Sequence, residues 1–308
     1  MNTAYDAIIV GAGPAGLSAA HMLGRARRSV LVIDGGEPRN RFASAMHGVL
    51  GIDNLPPAEL RARGRAELEP YDVTFLDGQV DRVTASDDAV TAHLTDRTFT
   101  ARALIAATGV TDGLPDIPGL AEHWGTRVLH CPYCHGWEVR GQRLAVIATS
   151  TMSPFQAQLV RQWSDRITAF TAAAEPLDTD TAQRLSARGT AIVSSPVTSV
   201  TVSDDDALLL RTTDGATTAA DAIFLGTALH PRDGFLPGDL IRVDTEHGPL
   251  LRTDPSGRTS HPRIWAAGNI TNLAANVPMS MGAGSAVGGA VNASLMFEDT
   301  QRAIADQR

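Results

Sequence analysis

Cys131-Pro132-Tyr133-Cys134-His135-Gly136 holds the only two cysteines of a 308-residue chain, with two residues between them. Two thiols so placed can bind zinc, sit inert in a core, or alternate between dithiol and disulfide. Zinc would need two further ligands at metal spacing, and there is no second cysteine pair. Inert thiols have no need of the spacing, and chance alone rarely produces it. Redox chemistry does need it, because one thiolate can then displace the other and the attacking cysteine has a lowered pKa. His135 follows directly. Its imidazole titrates near neutrality and can take a thiol proton and return it. His130 flanks the pair on the other side, where a structural hydrogen bond is the simpler reading beside a catalytic one.

A second constellation is Gly11-Ala12-Gly13-Pro14-Ala15-Gly16. The apolar run Ala7–Val10 precedes it, a helix-like stretch Leu17–Arg25 follows, and a β-run from Ser29 to Ile33 ends at Asp34. Gly11 permits a tight turn, Gly13 lets a pyrophosphate approach the backbone, and Gly16 allows close packing of helix and strand. The helix N-terminus faces the phosphates, and the Asp34 carboxylate takes ribose hydroxyls. Dinucleotide binding is the expectation.

These motifs must be carried by two α/β layers. At roughly 100–200 residues per domain, the length suggests two domains. Residues 71–107 carry short strand-like runs, including Gln79-Val80-Asp81-Arg82-Val83, as in a small meander returning to the main sheet. Gly113–Gly119, with two Pro and two Gly, reads as a linker. A second strand–helix–strand unit starts at Arg143–Ile147 and continues through a helix at Pro154–Trp163 to Ile167–Phe170, with a β-rich piece following to about Leu229. Pro231–Gly238 reads as another crossing, Ile264–Gly268 as a last strand, and Ser285–Phe297 as a last helix. The first domain is thus interrupted by the second.

Composition excludes several classes. The formal net charge of −8 argues against nucleic acid as a partner. There is no lysine, so no Schiff base and no Walker-type phosphate loop. No apolar run reaches the roughly 18 residues of a membrane span, and no basic segment precedes an apolar one near the N-terminus. A cytoplasmic location is expected.

The chain resembles the low-molecular-weight thioredoxin reductases, through the glycine motif, Ala106-Ala107-Thr108-Gly109, the linker, the Cys pair and Ala266-Ala267-Gly268-Asn269. The resemblance implies an α/β fold of two Rossmann-like three-layer dinucleotide-binding domains. The FAD-binding domain would span 1–115 and 239–308, with 116–238 inserted and carrying the Cys pair. It also assigns FAD to Gly11, Gly13, Pro14, Ala15, Gly16, Asp34, Arg41, Val80, Thr108, Gly109, Gly268 and Asn269. Cys134 would be the flavin-proximal sulfur, Cys131 the exchanging one, and a homodimer the assembly. Two departures stand out besides Asn269, where the family has Asp. His135 stands where the family has an acidic residue. Ala148-Thr149-Ser150-Thr151-Met152-Ser153 replaces the second glycine fingerprint, and Thr171–Ala174 offers no cation for a 2′-phosphate. No NADPH use is expected.

Cys-x-x-Cys-His without an NADPH site resembles the dithiol oxidases of natural-product pathways. These close disulfides in gliotoxin, in dithiolopyrrolones such as holomycin, and in the depsipeptide romidepsin. The resemblance implies a small dithiol as substrate and O2 as acceptor, yielding hydrogen peroxide. Two other readings stay open: a disulfide reductase fed by another donor, and a non-enzymatic flavin redox sensor.

Overall fold

The computed structural model describes residues 4–307. It divides into two compact units: Met1–Arg41, Leu55–Thr111 and Leu229–Arg308 form the first, Phe42–Asn54 and Asp112–Ala228 the second. The segment 42–54, flanked on both sides by first-unit sequence, thus groups with the second unit.

Along the first unit run β1 (Ala4–Val10), α1 (Pro14–Arg25), β2 (Val30–Asp34), α2 (Pro57–Ala66), β3 (Val73–Asp77), β4 (Arg82–Ala85), β5 (Val90–His93) and β6 (Thr98–Ala106). β7 (Val110–Gly113) leads out. The second unit holds β8 (Val128–Leu129), α3 (Pro132–His135), β9 (Leu144–Ile147), α4 (Ser153–Val160), β10 (Ile167–Phe170), α5 (Thr179–Ala187) and β11 (Ala191–Val193). An antiparallel trio follows, β12 (Val197–Val202), β13 (Leu208–Thr212) and β14 (Thr217–Ala220), and then β15 (Ala222–Leu225). The returning β16 (Ala228–Pro231) pairs with β7. The first unit closes with the hairpin β17 (Arg242–Thr245) and β18 (Gly248–Leu251), then β19 (Ile264–Ala266) and α6 (Val277–Ala305).

The first sheet is ordered β3-β2-β1-β6-β5-β4. Its strands β3, β2, β1 and β6 are parallel. The long β6 has a different neighbour along each half of its second edge: β5, antiparallel, beside its start, and β19, parallel, beside its end. β1 is buried on both faces, as a parallel strand under helices must be. Ile9 joins one core cluster with Val32 and Ile105, while its neighbour Ile8 joins the other with Leu31 and Leu104. The second sheet, β11-β10-β9-β15-β8, is parallel throughout.

The helices differ from the sequence expectation, most of all in three places. α2 and α5 were not expected; the piece read as β-rich contains α5, capped by Asp178 accepting from the Thr181 amide at 2.8 Å. α6 extends beyond 285–297 at both ends. Its glycine-rich first half helps by packing closely on α1: a Cβ at Gly284 would run into the Ala15 carbonyl, and one at Gly288 would lie 2.8 Å from the Ala19 carbonyl. Asn276 caps its start by accepting from the Met279 amide at 3.1 Å. Its far half is pinned by Asp299, which pairs with Arg28 and Arg102, both at 2.7 Å.

Candidate active site

In the second unit β8 delivers the chain to the Cys pair. Cys131 is the extended residue before α3, a single turn opened by Pro132, whose missing N–H costs nothing at that position. The Cys134 and His135 amides donate to the Cys131 carbonyl at 3.1 and 3.2 Å. This turn brings the two residues to a Cα–Cα separation of 5.3 Å, and they form a disulfide. α3 is seated on Trp163: Tyr133 meets that ring edge-on at 5.7 Å, and a Cβ at Gly136 would lie 2.6 Å from it. At the other end Gln156 of α4 donates through Nε2 to the His130 carbonyl at 2.8 Å. The backbone of His130 therefore helps to hold the loop that presents Cys131.

His135 is held below the ordinary imidazole range. Burial pushes it down, the Glu138 carboxylate pulls it partly back, and His47 pushes it down again. The ring is thus unprotonated at neutral pH, the form able to accept a thiol proton. His47 arrives from the segment 42–54. Its Nε2 lies 3.5 Å from Glu138 Oε1 and its Nδ1 3.6 Å from Asp53 Oδ2, while Asp53 also accepts from the Gly48 amide at 2.7 Å. Sequence reading assigned no role to His47, Glu138 or Gln156. Only tertiary folding brings His47 to Glu138 and His135, and no local spacing announces it.

The glycine turn stands in the first unit as a cradle with one open side. Gly11 has φ +102°, and a Cβ there would lie 2.6 Å from the Ala107 carbonyl. A Cβ at Gly16 would run into the Gly11 carbonyl, whereas one at Gly13 would meet nothing within 4 Å. No side chain caps the start of α1, and Pro14 opens it. Uncapped amides beside open space suit a pyrophosphate. Gly268, at φ +82°, closes the same site, since its Cβ would lie 3.0 Å from Ala15 Cβ. Thr108 donates to the Arg232 carbonyl at 2.7 Å, and Gly109 accepts from the Arg232 amide at 3.0 Å. These residues fit FAD.

Four expected ligands have further duties. Asp34 accepts from the Ala12 amide at 3.1 Å through Oδ1 and from Arg61 and Arg65 at 2.6 and 3.1 Å through Oδ2. Burial pushes its carboxyl up, but the Ala12 amide and Arg61 outweigh this and hold it below the usual range. Asn269 donates through Nδ2 to the carbonyls of Asn272, Leu273 and Ala275 at 3.1, 3.2 and 2.8 Å. Three acceptors fix which end of the amide faces them. Within this unit Asn269 is therefore used as a donor, which the Asp usual for the family could not be. Val80 belongs to the core with Ile8 and Ile33, which leaves its backbone for a ligand. Arg41 donates to the Pro38 carbonyl at 3.2 Å.

In the second unit the loop after β9 spends its amides on itself. The buried Ser153 hydroxyl accepts from the Thr149 and Ser150 amides at 3.0 and 3.3 Å, and Ser150 Oγ accepts from Met152 at 3.3 Å. After β10, Thr171 Oγ1 donates to the Glu175 carboxylate at 2.7 Å. That position carries an acid and no cation.

The family model described as pyridine nucleotide-disulphide oxidoreductase matches residues 5–288. Thioredoxin reductase tcpT of Claviceps purpurea is 33% identical over 310 residues, covering 95% of each chain. The crystal structure of HlmI matches with a TM-score of 0.90 at 39% identity, over 98% of this chain and 95% of that one. An oxidoreductase from Agrobacterium tumefaciens matches with a TM-score of 0.88 at 34% identity, over 96% and 99%. The chain belongs to the pyridine nucleotide-disulphide oxidoreductase family, as a thioredoxin-reductase-like flavoprotein.

Proposed function

We propose that this flavoprotein is a dithiol oxidase that closes an intramolecular disulfide in a small natural-product dithiol, with O2 as electron acceptor and without NADPH. A dithiolopyrrolone or a depsipeptide dithiol fits the reading. The observation that carries it is the self-satisfied loop 149–153. Its amides, which a dinucleotide-binding loop would offer to a pyrophosphate, are bound by Ser153 and Ser150, and Glu175 would repel a 2′-phosphate after β10. Electrons then enter through the Cys pair.

His135 takes the proton of one substrate thiol. The thiolate attacks Cys131 Sγ, the Cys131–Cys134 bond breaks, and its electron pair leaves on Cys134. The second substrate thiol attacks the substrate sulfur of this mixed disulfide, expelling Cys131 and releasing the cyclic disulfide. His135 holds the first proton and the departing Cys131 thiolate takes the second, so the substrate loses two electrons and two protons and the cysteines gain the electrons. FAD, when bound, supplies a two-electron acceptor for the reduced pair, and O2 regenerates it with formation of hydrogen peroxide. Gly11, Gly13, Pro14, Ala15, Gly16, Asp34, Thr108, Gly109, Gly268 and Asn269 would hold it, with Arg41 and the Val80 backbone at its edge. The reading carries with it a cytoplasmic homodimer.

An anaerobic titration tests the proposal. A small dithiol added to the yellow holoenzyme should bleach the flavin, and NADPH should leave it oxidised. Rapid bleaching by stoichiometric NADPH would overturn the reading.

A further inference from the structure

We propose that Tyr133, Trp137, Met152 and Phe155 grip the carbon skeleton of the substrate, so that the enzyme selects apolar, ring-bearing dithiols over small polar ones. This rests on the oxidase reading. All four belong to the second unit and leave large apolar surface in solvent, at 74, 65, 55 and 63% exposure. Such surface, gathered in one place, marks a binding face.

Its placement follows from two contacts already described. Gln156 touches the backbone of His130, and Trp163 touches Tyr133 and Gly136. The contacts come in the same order along both segments, so 130–136 lies alongside 156–163 and runs in the same direction. Met152 and Phe155 therefore stand toward the Cys131 end, with Tyr133 on α3 and Trp137 two residues past its end toward the other. Tyr133 belongs to the Cys131–Cys134 turn itself, so the apolar surface begins at the disulfide. His135, Glu138 and His47 supply the polar group that handles the thiol proton. The four exposed side chains offer the rest of a substrate apolar surface.

Two details favour a ligand of this chemistry. Trp137 is held on one ring face by the Arg140 guanidinium, 4.1 Å from the ring centre, so the indole is an ordered platform rather than a loose chain. Met152 and Phe155 occupy the start of α4, where a nucleotide-binding loop would keep small residues for a phosphate. An apolar ligand gains from that replacement and a charged one loses.

The test uses the holoenzyme, oxygen uptake and two probes: dithiothreitol, small and polar, and ortho-xylene-α,α′-dithiol, aromatic. The wild type should favour the aromatic probe. Trp137→Ala and Phe155→Ala should each lower the ratio of kcat/KM values, aromatic over polar, about tenfold, the effect of about 1.4 kcal/mol of lost apolar contact. Most of the change should lie in KM, and Trp137→Phe should restore part of it. Variants that lower both probes together, leaving the ratio unmoved, would overturn the inference while the oxidase reading stands. Oxidation of neither probe by the wild type would remove both. Loss of a dimer in Trp137→Ala on sedimentation, with the ratio unmoved, would assign the face to a second copy instead.

Discussion

Replacing Asn269 by Asp, the residue usual for this family at that position, should damage this protein. The two N–H groups of the Asn269 amide are shared among three carbonyls, of Asn272, Leu273 and Ala275, at 2.8 to 3.2 Å. These bonds close the loop that ends at Asn276, the cap of α6. A carboxylate has no donor, so both N–H groups are lost and negative oxygens face three carbonyls. A net bond contributes about 0.5–1.5 kcal/mol, and this site is only part-buried, so the loss should be about 2 kcal/mol. At roughly 2–4 °C per kcal/mol for a unit of this size, the apoprotein Tm should fall by about 4–8 °C. The carbonyls also raise the pKa of the new carboxyl above its unfolded value. Protonation then restores one donor, so the deficit should shrink as pH falls through that raised value. Thermal unfolding of apoprotein at two pH values, with FAD affinity from fluorescence, checks this. An Asn269→Asp variant as stable as the parent, or one whose deficit grows in acid, would refute the reasoning.

Other perturbations separate the remaining roles. Cys131→Ser and Cys134→Ser should both stop turnover, and the first alone should show a long-wavelength absorbance band, from the Cys134 thiolate it leaves. A band that follows Cys134→Ser would exchange the two assignments. His135→Ala should lower turnover roughly 10²–10⁴-fold at neutral pH, with partial recovery in alkali where substrate thiols ionise unaided. Because burial holds His135 below the ordinary value, wild-type activity should fall only as pH drops through that depressed value. Glu138→Gln should move this acid limb to still lower pH and His47→Ala should move it higher, as pH–rate profiles would record. Gly284→Val should cost about 1–3 kcal/mol or more, because its side chain meets the Ala15 carbonyl, and chemical unfolding measures it.

What the sequence made legible was local. The Cys pair and the first glycine turn each lie within six residues, and each is flanked by the elements its chemistry needs. α2 escaped because its sole buried residue is Pro57 and it shows no apolar stripe, and α5 because its short polar run buries only Leu185. The first turns of α6 are rich in Gly and Ser, poor helix formers, and packing on α1 overrides their preference. His47 was invisible as a neighbour of Glu138 because its segment lies between elements of the other unit. The donor role of Asn269 needed the folded loop, since residue type alone shows both a donor and an acceptor.

Oxygen uptake by the FAD-loaded enzyme tests the central claim most directly. With a small dithiol as the only reductant, we predict sustained consumption of O2, one cyclic disulfide and one hydrogen peroxide per O2, and no change when NADPH is added. Contradiction would be an enzyme that leaves O2 untouched with every dithiol offered, yet reduces a disulfide at the expense of NADPH.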